Sequence, residues 1–108
     1  MGQFSEQDLV SCRELIDEID VKLVRLLNER TKVVEKIGAI KRSLQSPVYE
    51  PKRESAVIAN VQKHNEGPLP PDAVQRVFER IMDEMRTLQK MKILEAQKNN
   101  SDATASGK

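Results

Sequence analysis

The sequence predicts an all-α fold of three helices, the first of which is very long. Apolar residues recur at spacings of three and four, the pattern of half-buried helices, and no segment shows the alternation of a strand. Prolines separate the three periodic segments, at Pro47 and Pro51 and again within residues 68–71. The chain has 108 residues, enough for one small domain.

The first helix is predicted over about residues 5–44. Ser5 can cap its N-terminus, with Asp8 three residues later as in a capping box. Within the segment only Gly38 disfavours a helix, and a glycine there indicates the close approach of another backbone. The apolar stripe comprises Leu9, Cys12, Leu15, Ile16, Ile19, Leu23, Leu26, Leu27, Val33, Val34, Ile37 and Leu44.

The second and third helices are predicted over about residues 50–65 and 72–97. Pro51 suits the first turn of a helix, and Gly67 is typical of a residue that follows a helix end. Residues 98–108 are small and polar and have no apolar period, so they are predicted to be a disordered tail. The folded domain is therefore expected to cover residues 1–97.

The length of the first helix predicts a homodimer. A helix of about 40 residues is roughly 60 Å long, about twice the diameter of a compact domain of this size. Two shorter helices of the same chain cannot cover its apolar stripe. We therefore expect an interlocked helical-bundle homodimer, in which a second copy completes the cover.

Composition argues against several classes of protein. Lys and Arg total 18 against 17 Asp and Glu, a net charge of +1, so binding of nucleic acid through a basic surface is not expected. No apolar run approaches a membrane span and no signal peptide is recognisable, so a cytoplasmic location without membrane contact is expected. Cys12 and His64 make no metal site, and Cys12 is expected to be a small buried hydrophobe.

Two cations lie on the apolar stripe of the first helix. At about 100° per residue, Arg30 falls at its centre and Lys41 within about 25° of it. On the second helix, Glu54 falls among apolar residues, with Arg53 at the edge of that stripe, and on the third helix Gln89 borders the stripe. A buried cation without a partner costs several kcal/mol.

These inward polar residues have two interpretations. They can pair with one another, as Arg30–Glu54 or Lys41–Glu54, or reach solvent along their stems. Alternatively, the surplus positive charge forms a site for a small dianion. We favour the second, because Glu54 alone is available to neutralise the two cations. No nucleophile, catalytic triad or glycine-rich phosphate loop accompanies them, so the site would act by binding, orientation and electrostatic stabilisation.

At these residues the chain resembles the all-helical (AroQ-class) chorismate mutases, from near Leu9 to near Met91. That family rearranges chorismate to prephenate in the biosynthesis of phenylalanine and tyrosine, and it uses no cofactor or metal. The resemblance rests on Arg13 in "CREL", Arg30 and Lys41 in "NERTKVVEKIGAIK", Glu50, Arg53 and Glu54 in "PVYEPKRES", and Gln89 in "TLQK".

The resemblance implies a role for each polar residue. Arg30, and Arg13 from the other subunit, would bind the two carboxylates of chorismate. Lys41 and Gln89 would donate hydrogen bonds to the ether oxygen, where negative charge grows as the C–O bond breaks. Arg30, Lys41, Gln89 and Glu54 are thus the implied catalytic residues.

Three further positions, together with Glu54, complete the implied substrate site. Glu54 and the backbone near Glu50 would bind the ring hydroxyl of chorismate through hydrogen bonds. Arg53 would add positive charge near a carboxylate of the substrate. Two of these positions depart from relatives. Met85 stands where some have Ser, so one polar contact is in doubt, and Glu50 stands where others have Asp, a harmless change if only the backbone is used.

Two other functions stay open. A lyase of the same fold removes pyruvate from isochorismate, but the position of Glu54 tends to be apolar in that branch, which favours the mutase. A catalytically silent helical dimer, acting as a scaffold or regulatory partner of a shikimate-pathway enzyme, is the second alternative. A pure scaffold has no reason to bury uncompensated cations.

Overall fold

The computed structural model describes the backbone of residues 2–106 and the side chains of residues 2–99. Three α-helices account for most of the described chain: α1 spans Glu6–Leu44, α2 spans Pro51–Lys63 and α3 spans Pro71–Ser106. Residues 2–106 contain no strand. The predicted all-α fold, with a very long first helix and two further helices, is confirmed.

The chain divides into two compact units, residues 1–33 and residues 34–108. The first unit holds the beginning of α1, which starts with the predicted capping box. The backbone N–H of Ser5 donates to Asp8 Oδ2 at 2.7 Å, and the backbone N–H of Asp8 donates to Ser5 Oγ at 3.3 Å. These reciprocal bonds satisfy donors that would otherwise lack partners at the helix start.

The apolar side chains of the first unit are almost all exposed in the single chain. Cys12, which is predicted to be buried, is exposed in the single chain. Among residues 2–33 only Leu27, Arg30 and Thr31 are half-buried. The exposed apolar side chains of this unit include Leu9, Val10, Leu15, Ile16, Ile19, Val21, Leu23, Val24, Leu26 and Val33.

The second unit contains the end of α1 together with α2 and α3. Its apolar core is small and is centred on one face of α3, where Val74, Met82 and Met85 are buried at helical spacings. Gln89 continues the same face one turn later and is the polar residue of this core. Gln89 is therefore a polar side chain at a position of the core where an apolar side chain is usual.

The end of α1 sets the position of the loop that follows it. Gln45 has a φ of 56°, a left-handed conformation that costs a residue other than glycine about 1–2 kcal/mol. The N–H of Ser46 donates to the Lys41 carbonyl at 2.8 Å, and the N–H of Gln45 donates to the Arg42 carbonyl at 3.2 Å. These two bonds form a Schellman motif, which turns the chain back along the last turn of α1.

The helix ends differ from the prediction in α2 and α3. The second helix ends at Lys63, two residues before the predicted end. The third helix starts at Pro71 and continues to Ser106, beyond the predicted end at residue 97. Residues 98–106 of the predicted disordered tail are thus helical, and no proline or glycine lies among them, while residues 107–108 lie outside the described residues.

None of the helices, over the part of the chain that the structure describes, is long and apolar enough to cross a membrane.

Candidate functional site

Lys41 lies in the last turn of α1 and is held by the loop that follows. Its Nζ donates to the Val48 carbonyl at 3.0 Å and lies 3.5 Å from Glu50 Oε1. The side chain is 15% exposed, so the ammonium group is largely shielded from water. An ammonium group carries three N–H donors. With one donor on Val48 and one facing Glu50, the third is available to a ligand.

Glu50 occupies the N-cap position of α2 but does not cap the helix with its side chain. Its carboxylate instead faces Lys41, while its backbone carbonyl accepts the N–H of Glu54 at 3.0 Å. From the sequence, a Glu at this position is expected to be harmless if only the backbone is used. In the structure the side chain takes part as well, because its carboxylate places a negative charge next to the ammonium group of Lys41.

Gln89 lies on the buried face of α3 and is only 8% exposed. Its Nε2 donates to the Val34 carbonyl of α1 at 3.3 Å. Because a carbonyl accepts and does not donate, this contact fixes which end of the amide faces α1. The second N–H of the amide group remains available, in a position set by the packing of α3.

Gly38 is buried next to Gln89, which explains how the two helices approach at this point. A Cβ atom built on Gly38 would lie 3.6 Å from Gln89 Cγ and 3.7 Å from Gln89 Nε2. Within the chain, the nearest neighbours of this position are therefore side-chain atoms of Arg42 and Gln89, and the approach of another backbone stays a prediction. Gly38 and Lys41 are three residues apart and share a face of α1. Gln89 thus lies beside the face of α1 that carries Lys41.

Replacing Gly38 by Ala is expected to stabilise the protein. The added methyl group would make ordinary van der Waals contacts at 3.5–3.7 Å, and Ala is favoured over Gly inside a helix by roughly 0.5–1 kcal/mol. Urea denaturation of Gly38→Ala should show a free energy of unfolding higher by about that amount. A lower value would mean that something else occupies the space next to Gly38.

Glu54 forms its ion pair with α3. Arg86 Nε lies 2.8 Å from Glu54 Oε2, and the two side chains are 27% and 24% exposed. The sequence suggests Arg30 or Lys41 as partners of Glu54, whereas the structure pairs Lys41 with Glu50. Glu54 also borders a cavity of about 260 Å³ whose wall includes Tyr49 and Met82.

Arg86 is the charged residue of this site that sequence reasoning missed. It lies one turn after Met82 and about one turn before Gln89, at the edge of the buried face of α3. Asp83, three residues earlier, makes the pair look like an ordinary surface ion pair in sequence. Its position next to the apolar stripe of α3, between Met82 and Gln89, is the signal in the sequence that points to Arg86.

The remaining predicted site residues fall into three environments. Arg53 is exposed on α2. Met85 is buried in the core of the second unit. In the first unit, Arg13 is exposed and Arg30 is half-buried.

The arrangement in the second unit suits a small anionic or polar ligand. Lys41 and Gln89 supply N–H donors in surroundings of restricted water access, where such donors interact more strongly than in water. The Asp, Glu, His and Cys residues that the structure describes form no group able to hold a metal ion. The side chains of Lys41 and Gln89 offer hydrogen bonding and charge stabilisation.

Comparison with known proteins identifies the family. Residues 12–90 match the family model described as chorismate mutase type II. The chain is 42% identical over 84 residues to the bifunctional chorismate mutase/prephenate dehydratase of Neisseria gonorrhoeae, a match that covers 78% of this chain and 23% of that relative. It is 29% identical over 98 residues to the chorismate mutase of Methanocaldococcus jannaschii, covering 87% of this chain and 96% of that relative.

A solved structure shows the same fold. Form II of the chorismate mutase of Thermus thermophilus superposes with a TM-score of 0.75 at 30% identity, covering 77% of this chain and 94% of the other. The chain spans only about a quarter of the length of the bifunctional relatives that it matches. Because the family model covers most of its residues, the chain belongs to the chorismate mutase type II family.

Proposed function

We propose that this chain rearranges chorismate to prephenate in a one-substrate reaction that needs no cofactor, as a step in the biosynthesis of phenylalanine and tyrosine. The observation that carries the proposal is the placement of Lys41 and Gln89 beside the same face of α1, on a chain of this family. Both side chains are shielded from water, and each has an N–H donor to spare.

The proposed catalytic step is stabilisation of the ether oxygen. Negative charge grows on that atom as its bond to the ring carbon breaks, so donors aimed at it strengthen as the transition state forms. Val48 holds the ammonium group of Lys41 and Val34 holds the amide group of Gln89, each through a backbone carbonyl. Donors fixed in advance need little reorganisation during the reaction.

The proposed binding residues hold the substrate in its folded, reactive conformer. Arg30, and Arg13 of a second subunit, would grip the two carboxylates with their planar guanidinium groups. Glu54 and the backbone of Glu50 would receive the ring hydroxyl, and Arg53 would add positive charge near a carboxylate. A millionfold acceleration requires about 8 kcal/mol, which a held conformer and two or three charge-assisted hydrogen bonds can supply.

We also propose that the active form is a homodimer. The supporting observation is the exposed apolar face in the first unit, which runs through about seven turns of α1 from Leu9 to Val33. Exposed apolar patches of this extent mark interaction surfaces. Arg13 is exposed on the same part of α1, as a residue that serves the site of a second subunit would be.

Thermal unfolding of the protein is expected to depend on its concentration. If folding and association are coupled, mass action raises the midpoint as protein concentration increases. Calorimetry or circular dichroism over a hundredfold range of concentration should show this rise, with sedimentation velocity reporting a dimer. A folded monomer at micromolar concentration with an invariant midpoint would contradict the homodimer.

The lyase alternative is distinguished by its product. Glu54 places a carboxylate where the lyase branch tends to have an apolar residue, and this carboxylate is held in an ion pair with Arg86, which supports the mutase. Assays with isochorismate should therefore release no pyruvate. A partner enzyme of the same pathway and a cytoplasmic location stay predictions from the sequence.

The direct test is an assay of the purified chain with chorismate. The absorbance of chorismate should fall in proportion to protein concentration, and prephenate should be the product. Protein that is folded and dimeric but leaves chorismate unchanged would contradict the mutase function and favour a silent helical dimer.

A further inference from the structure

Arg86 is fixed on three sides within the second unit. Its Nε lies 2.8 Å from Glu54 Oε2, its Nη2 is hydrogen-bonded to Asp83, and its guanidinium carbon lies 5.0 Å from the centre of the Tyr49 ring. These partners come from α2, from α3 itself and from the loop before α2. Arginine side chains lose much conformational freedom when they are fixed in this way, so the contacts restrict Arg86 to few positions.

The contact between Arg86 and Glu54 leaves much of the carboxylate available. Arg86 Nε is buried, and its N–H finds no acceptor in hydrogen-bonding geometry, so the contact with Oε2 is an ion pair and not a directed hydrogen bond. An ionised carboxylate offers about four acceptor positions on its two oxygens. Glu54 also borders the 260 Å³ cavity, so a small molecule there can reach it.

We propose that Arg86 is a positioning residue for Glu54. It fixes the carboxylate so that a free acceptor position meets the ring hydroxyl of the substrate. A glutamate side chain has three rotatable bonds, and the cation, itself fixed by Tyr49 and Asp83, limits the orientations that the carboxylate can take. This inference rests on the proposed function, because it concerns how that substrate is recognised.

The geometry favours positioning over a plain structural ion pair between α2 and α3. The ion pair engages Oε2 of Glu54, and Glu54 also lines the cavity, so the pair leaves acceptor positions of the carboxylate for a molecule bound there. The ring hydroxyl does not change its charge during the rearrangement. Its contact with Glu54 therefore has about the same strength in the ground state and in the transition state, and its loss should appear in KM.

The test is a double-mutant cycle on the kinetics of chorismate turnover. Arg86→Leu is expected to raise KM about tenfold with kcat within about twofold of wild type. In the background of Glu54→Ala, which removes the acceptor, Arg86→Leu should change KM by less than about twofold, since residues that act through one another are not additive. Arg86→Lys, which keeps the charge and most of the stem, should restore KM in part.

Arg80→Leu is the matched control. Arg80 lies on the same helix and pairs with Glu84, but both side chains are largely exposed. This variant should leave KM and kcat unchanged. Circular dichroism and the dimer mass establish that each variant is folded, and Arg86→Lys carries the test if Arg86→Leu does not fold.

Two results would overturn the proposal. The first is that Arg86→Leu raises KM by the same factor in the wild-type background and in the Glu54→Ala background. The second is that the KM values of Arg86→Leu and Arg86→Lys equal that of the control Arg80→Leu. Either leaves wild-type activity in place and so rejects only the role of Arg86. An inactive wild type would instead reject the proposed function.

Discussion

Replacing Lys41 by Met is expected to lower kcat by roughly a hundredfold or more, the usual cost of removing one donor from a developing oxyanion. Met keeps much of the bulk of the stem but cannot donate a hydrogen bond or carry a charge. The loss should fall on kcat more than on KM, because the interaction strengthens only as charge develops on the ether oxygen.

Lys36→Met is the control for this experiment. Lys36 is exposed on the same helix, one turn and a half before Lys41, so its replacement should leave both constants unchanged. Steady-state kinetics of the two variants, with circular dichroism to verify folding, give the comparison. A change confined to KM in Lys41→Met would show that Lys41 binds substrate and transition state equally.

Gln89 offers a second test of the same step through pH. Gln89→Leu keeps the shape and should also lower kcat by roughly a hundredfold, whereas Gln97→Leu, at an exposed position of α3, should not. Gln89→Glu should be nearly inactive at neutral pH, because an ionised carboxylate there repels the developing charge. The Val34 carbonyl oxygen, which lies 3.3 Å from Nε2 of Gln89, would also repel the ionised carboxylate of the variant.

Activity of Gln89→Glu is expected to return in part on acidification. Burial raises the pKa of a carboxyl group because it penalises the charged form, and this side chain is only 8% exposed. Below that raised pKa the protonated acid donates a hydrogen bond again, so the pH–rate profile should rise as pH falls. Full activity of this variant at pH 8 would contradict the role of Gln89.

Arg13→Ala and Arg30→Ala should each abolish most of the activity without unfolding the protein. Each would lose one bidentate clamp on a substrate carboxylate. If Arg13 serves the site of the other subunit, mixing the two inactive variants under subunit exchange should restore activity. In the mixed dimer, one site then carries both lesions and the other carries neither.

Random pairing makes mixed dimers about half of the population, each with one intact site of two, so activity should approach roughly a quarter of wild type. Mass spectrometry of differently tagged subunits would verify the exchange. No recovery after verified exchange would place both arginines in one site from one chain.

The sequence predicted local features of the fold well. The apolar periodicity and the Ser5–Asp8 capping box predict α1 through neighbours within one or two turns, and the structure confirms the helix and its capping box. The end of α3 differs from the prediction: the polar composition after Gln97 predicts a disordered tail, whereas α3 continues to Ser106, and no proline or glycine lies between Gln97 and Gly107. Loss of amphipathic character removes packing, but it does not by itself break backbone hydrogen bonds.

The pairing of charges across helices could not be predicted in the same way. Periodicity placed Lys41 and Glu54 on inward faces, but it does not give the rotation of one helix against another. In the structure, Lys41 pairs with Glu50 and Glu54 pairs with Arg86. The first pair depends on the loop after α1, which the Schellman motif turns back. Contacts of this kind depend on tertiary packing, which a one-dimensional pattern does not contain.

The most direct test of the proposed function is a time course of chorismate with the purified chain, followed by proton NMR, with Arg30→Ala prepared in the same way as a blank. The proposed mechanism predicts conversion of each chorismate to one prephenate in the wild-type sample, no release of pyruvate, and little conversion beyond the uncatalysed rate in the blank. Chorismate that persists in the presence of folded dimer, or pyruvate as a product, would contradict it.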